Sequence, residues 1–240
     1  MMTLNDMKEI RGTLNPQNFG CEFCGKKFAR ERTIAAHACE YKRRWLEREL
    51  QGNRLGFQVW QQFYKRNTVN SKVRTYEEFI RSAYYTAFVK FGTYCHETKV
   101  INMPKFVDWL ITNKVRLDTW NTDTVYTKFL LSYIKLEDAF SAIYRSVEYC
   151  AELAANDNIQ PNDVFRFGNV NKICYAITTG KISPWVLYQS ESGNKFLDKL
   201  HPEEVKMVID YINPEQWAIK FKRDPALAAE IKQVLSDARF

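Results

Sequence analysis

The sequence predicts a mostly α protein: a small ββα-like module at the N-terminus, a multi-helix bundle behind it, and a C-terminal array of short helices. Three observations lead there. Apolar residues recur at helical spacing through most of residues 54–156. Period-two alternation is scarce beyond residue 40, which leaves little room for strands. From Gln160 onward, five prolines each precede a short apolar-periodic run.

Residues 1–18 read as a flexible N-terminus, with Gly12 and Asn15-Pro16 as breakers. The module at 19–40 is defined by Cys21, Cys24, His37 and Cys39, spaced C-x2-C-x12-H-x-C. A tight knuckle brings the first two thiolates to one ion, and Gly25 suits its turn. Zn2+ takes four thiolate or imidazole ligands in a tetrahedron, so the pattern predicts a zinc finger. Phe28 and Ile34 stand where such a unit places its small core, and metal binding must then supply most of the folding free energy, about 10 kcal/mol or more. Arg30 to Ala38 has no proline or glycine and reads as the finger's helix. His37 and Cys39 are then two apart and face different ways, so Cys39 reaches the metal only if the helix ends or tightens at His37. The alternative is a free Cys39 thiol, with water, Glu40 or a distant side chain as fourth ligand.

Residues 41–156 read as a basic helical segment and a central helical domain. EYKRRWLEREL reads as a helix ending near Gly52, and Leu55, Val59, Trp60, Phe63 and Tyr64 recur helically in the next stretch. Thr75 and Glu78 make a capping box for a helix whose face carries Phe79, Ala83, Ala87 and Phe91, widened by Tyr76, Ile80 and Phe88. Pro104 starts another, with Phe106, Val107, Leu110 and Ile111 periodic behind it. Asp123–Asn156 is the longest periodic region, and its second half aligns Leu136, Phe140, Ile143, Val147, Cys150, Ala151 and Ala154. The segment 156–162 is the best boundary for a C-terminal subdomain, 157–240. There Pro161, Pro184, Pro202, Pro214 and Pro225 start short helices, several behind a Ser, Asn or Asp cap.

Composition narrows the function class. No apolar run is long enough for a membrane span, and the N-terminus lacks an apolar signal stretch, so a soluble intracellular protein is expected. Cys95, Cys150 and Cys174 are scattered and read as buried thiols rather than a disulfide framework. The net charge is +7, yet residues 1–75 hold 15 Lys and Arg against 7 Asp and Glu, and residues 76–240 hold 20 against 21. Positive charge confined to one end points to a polyanion, with nucleic acid the commonest partner; a solvated basic face is the alternative. Lys26, Lys27, Arg30, Arg32, Lys42, Arg43 and Arg44 are the candidate phosphate contacts. Arg30, Thr33 and Ala36 would occupy the base-facing positions of a DNA-reading finger, and only Arg30 is a strong base reader. Non-specific backbone binding is therefore expected, against a zinc staple that docks on protein.

The string CEFCGKKFARERTIAAHACEYKRRW, then RLGF and FYKR, resembles a family of uncharacterised zinc-finger proteins of large contractile-tailed bacteriophages. The similarity continues more weakly through YYTAFVKFG and GKISPWVLYQSESG. It departs from the usual two-cysteine, two-histidine finger at Cys39. The resemblance implies a phage protein in the host cytoplasm or the virion, with nucleic acid or other phage proteins as partners, and implies no reaction. No catalytic constellation is evident. His96 and His201 read as structural or surface residues, so a non-enzyme is expected. A structural or assembly component of the phage particle is the main alternative function. A metal-dependent nuclease using Asp108, Asp118, Asp123 and Asp138 is a weaker one.

Overall fold

The structure, a computed structural model, describes residues 19–68 and 72–240, so the expected flexible segment 1–18 lies outside the described residues. The chain divides into two compact units after Glu97. The expected subdomain boundary at 156–162 lies within the second. The fold is mostly α, with one two-stranded sheet at the N-terminus.

In the first unit, strands β1 (Phe19–Gly20) and β2 (Lys27–Phe28) pair antiparallel, Phe19 opposite Phe28. Helices α1 (Glu31–Ala35), α2 (Glu40–Leu46), α3 (Gln51–Asn67), α4 (Tyr76–Ile80) and α5 (Tyr85–Thr98) follow. The predicted helix ending near Gly52 instead stops at Leu46 and passes through a 3-10 turn, Glu47–Glu49. Leu50 is extended there, and α3 starts at Gln51. Gly52 is therefore the entry of α3 rather than the end of α2. The reason is packing: a Cβ on Gly92 of α5 would lie 2.3 Å from the Gly52 carbonyl oxygen and 2.4 Å from the Gly56 nitrogen. Two helix backbones meet at a distance only glycine permits. Around that crossing, Trp60, Phe79, Tyr85 and Phe88 are buried, with Phe79 and Tyr85 rings 4.7 Å apart.

The predicted capping box is present: the Glu78 N–H donates to Thr75 Oγ1, and the Thr75 N–H to the Glu78 carboxylate. The helix it opens is shorter than its periodicity suggests. It ends at Ile80, Ser82 turns the chain, and a new helix starts at Tyr85. The face consequently runs through Phe79, Tyr85, Phe88 and Phe91, and Ala83 is exposed.

The second unit holds α6 (Met103–Thr112), α7 (Asp123–Leu136), α8 (Ala139–Asp157), α9 (Val164–Phe167), α10 (Val170–Thr178), α11 (Pro184–Gln189), α12 (Glu191–Leu197), α13 (Pro202–Ile212), α14 (Pro214–Arg223) and α15 (Pro225–Asp237). The predicted stripe from Leu136 to Ala154 is out of phase. Glu137 leaves the helical region and Asp138 caps α8 through the Ser141 N–H, so the chain restarts its turn there. Leu136 is consequently 84% exposed and Phe140 is exposed too, while Ile143, Cys150 and Ala154 of the predicted stripe are buried together with Ala139, Ala142, Ser146 and Leu153. Buried Glu137 pairs instead with Arg145, one branch of the fork at 2.8 Å. The prolines stand at helix starts as expected, with Ser183, Asn213 and Asp224 each accepting a backbone N–H as the cap. Rings of Trp185, Trp217 and Phe221 pack within 6.1 Å of one another. No described helix is long and apolar enough to cross a membrane.

Candidate metal centre and basic surface

Two backbone hydrogen bonds close the knuckle. The Cys21 N–H donates to the Lys26 carbonyl at 2.9 Å, and the Gly25 N–H to the Cys21 carbonyl at 2.8 Å. Gly25 sits at φ +71°, a left-handed value that costs glycine nothing. That hairpin sets Cys21 and Cys24 side by side.

The finger helix is much shorter than the sequence suggests. It ends at Ala35, not Ala38, and Ala36 closes it by donating back to Arg32. His37 to Cys39 therefore lies outside any helix, and Cys39 has extended angles, φ −94° and ψ 114°. In extended chain, residues two apart point the same way. This is the physical solution to the x-spacing: the early stop lets His37 and Cys39 face one ion. Ligand atoms of Cys21, Cys24, His37 and Cys39 all lie within 4.8 Å of one another, with Cys24 Sγ 3.3 Å from His37 Nε2. A tetrahedron with bonds of about 2.3 Å has edges of about 3.8 Å, so one ion fits the set.

The electrostatics favour the same ion. The backbone N–H of Cys24 lowers the Cys21 thiol to about 7, against the opposing effect of burial. The Cys24 thiol is pulled down by a backbone group at Lys26, yet burial and the thiols of Cys21 and Cys39 together leave it raised. A cation removes that mutual repulsion. The Phe28 ring packs against the His37 ring, tilted at 44° with centroids 4.9 Å apart. Among the described residues this is the one cluster of His, Cys, Asp or Glu with metal-holding geometry, so the four aspartates considered above do not assemble a second one.

Cys39 is also the residue before α2, so the centre is continuous with the helical body. Arg44 donates to the Ile80 carbonyl at 2.7 Å and lies 4.4 Å over the Tyr85 ring. Arg81 reaches back to the Phe23 carbonyl in the knuckle at 3.2 Å. That contact spans 58 positions and has no sequence signal. The scattered cysteines are buried, and burial pushes Cys95 and Cys150 up to about 12.

The basic candidates separate into two groups. Arg43 is forked between Glu40 and Glu47 at 2.7 Å each, and Arg44 is held by Glu40 and the Ile80 carbonyl. Lys26, Lys27, Arg30, Arg32 and Lys42 are exposed and make no ion pair among the described residues. Comparison with protein-family models, curated proteins and solved structures returned no match.

Proposed function

We propose that this is a phage-encoded zinc-finger accessory protein that binds nucleic-acid backbone without sequence preference. Zinc is the metal the donor set suits best, since three thiolates and one imidazole in a closed tetrahedron make a structural zinc site. Cys21, Cys24, His37 and Cys39 would hold it, and it would supply folding rather than reaction chemistry. The observation that carries the nucleic-acid reading is the unpaired, exposed set Lys26, Lys27, Arg30, Arg32 and Lys42 on and just after the finger. Backbone phosphate is the polyanion such a set meets through charge alone.

Filter binding of the zinc-loaded chain to duplex DNA across salt concentrations tests it. Five free cations predict a log–log slope of about −4.5. Replacing Lys26 and Lys27 by alanine should lower that slope by about 2 and weaken all sequences alike. The Arg43→Ala variant should leave it unchanged, since Arg43 is already neutralised. Absent or salt-independent binding refutes the reading.

A second reading, a component of the phage particle with the finger as docking element, is supported by α1. That helix buries none of its residues, and Thr33 within it and Ala36 just after it are exposed, offering a base little but suiting a protein groove. Mass spectrometry of purified virions discriminates: absence from the particle argues for the accessory role.

A further inference from the structure

In the second unit, Lys181 lines a cleft and its ammonium has no protein acceptor among the described residues. Lys181 is 9% exposed, and its Nζ lies 5.1 Å from the Tyr149 ring centroid and 5.4 Å from that of Tyr175. Ring faces attract a cation but leave its three N–H donors without oxygen acceptors. No hydrogen bond or ion pair reaches Lys181 Nζ among the described residues. Burial lowers its pKa, and the charge of Lys99 lowers it further.

The neighbouring groups are committed elsewhere. Glu152 pairs with Lys99 at 2.7 Å. Arg145 pairs with Glu137 and donates to the Gly180 carbonyl at 2.9 Å. The loop backbone that carries Lys181 is held in place. The N–H groups of Lys181 and Ile182 both donate to the Ala176 carbonyl, at 2.8 and 3.1 Å, and the Ser183 N–H donates to the buried Ser146 hydroxyl. A largely buried ammonium that meets a cleft without a protein acceptor is open to an anionic partner there.

A cleft opens at this point. Its lining includes Lys99, Ile101, Tyr149, Glu152 and Lys181, and its volume is about 190 Å³. Glu148 stands exposed at its rim. The lining carries Lys99, Arg145 and Lys181 against Glu148 and Glu152, and Arg145 is already paired with Glu137 outside it, so the two lysines are the cations open to a ligand. We infer that this cleft binds a small oxyanion, a phosphate or a short carboxylate, between Lys181 and Lys99. Lys181 supplies a charge-assisted hydrogen bond, the stronger kind. Lys99 supplies an exchangeable one, since its present partner Glu152 is half exposed.

Isothermal titration of the full zinc-loaded chain with inorganic phosphate, and separately with acetate, at fixed ionic strength tests the site. A saturable signal with one of the two names the oxyanion. The Lys181→Met variant should lose about tenfold or more in affinity, the usual size for one hydrogen bond to a charged group, and Lys99→Ala should lose less. Lys99 is on the surface, so its variant keeps the test readable if Lys181→Met fails to fold. No saturable binding of either ion overturns the inference. Unchanged phosphate binding in both variants also overturns it, by placing the ion on the basic finger.

Discussion

The finger and the second unit stay folded by opposite means. In the finger, α1 buries no residue, and only Cys21 and Cys39 are buried among residues 19–40. Order there depends on four ligand atoms converging within 4.8 Å. In the second unit, Trp120, Trp185, Trp217, Phe106, Phe129 and Leu130 are fully buried, and aromatic and aliphatic side chains pack together as the core. One region is held by a point and the other by a volume. A point is switched off by removing one ion, whereas a volume fails only when packing is broken.

The largest test of that contrast is removal of the ion. Chelation, or the Cys21→Ser, Cys24→Ser variant, forfeits about 10 kcal/mol of metal-linked folding in the finger. Limited proteolysis should then cut within residues 19–40 while the fragment from Thr98 to Phe240 survives. A second unit that becomes equally labile would break the comparison.

A smaller effect probes the volume. Glu137 is buried with its side chain 3% exposed, and it neutralises Arg145. The Glu137→Ala variant should cost about 3 kcal/mol, the low end for breaking a buried pair, because Arg145 is one-fifth exposed. Urea denaturation measures it, and a loss below 1 kcal/mol would show that water already screens the pair. Next comes Gly92→Ala in the first unit. Its added Cβ must displace backbone at Gly52 and Gly56, an overpacking cost of up to about 3 kcal/mol, offset by about 1 kcal/mol of helix propensity. A net loss near 2 kcal/mol is expected by the same method, and a stabilised variant would mean that the helices separate freely.

These tests fall where the sequence was least readable. The four ligands, the Gly25 turn, the Thr75 capping box and the proline helix starts are local signals, carried within a few residues, and each is where the spacing places it. The contact of Gly92 with Gly52 and Gly56 joins positions about forty apart, and neither glycine announces its partner. The phase break at Glu137 and Asp138 was hidden for another reason: apolar residues continue across it, and Leu136 and Phe140 look like core by type although both are exposed. Lys181 shows the same limit, since a lysine in sequence reads as surface until the fold buries it. In the basic segment, Arg43 and Arg44 looked as available as Lys42, although Glu40 and Glu47 at helical spacing were the signal that they are neutralised.

The smallest predicted effect sharpens the comparison within the helix array itself. Each short helix there spends a large share of its backbone groups on its two ends, so caps matter more than in a long helix. Asp224 accepts the Leu227 N–H at 3.0 Å, and Pro225 fills the first helical position, where no donor is needed. The Asp224→Ala variant should therefore lose about 1 kcal/mol, and Asp224→Asn only a fraction of that, because the amide oxygen caps equally well. The urea midpoint of both variants, compared with wild type, separates the cap from the charge. Equal losses in the two would mean that Asp224 acts through the helix dipole instead. The array would then be held by electrostatics at its ends as well as by its aromatic core.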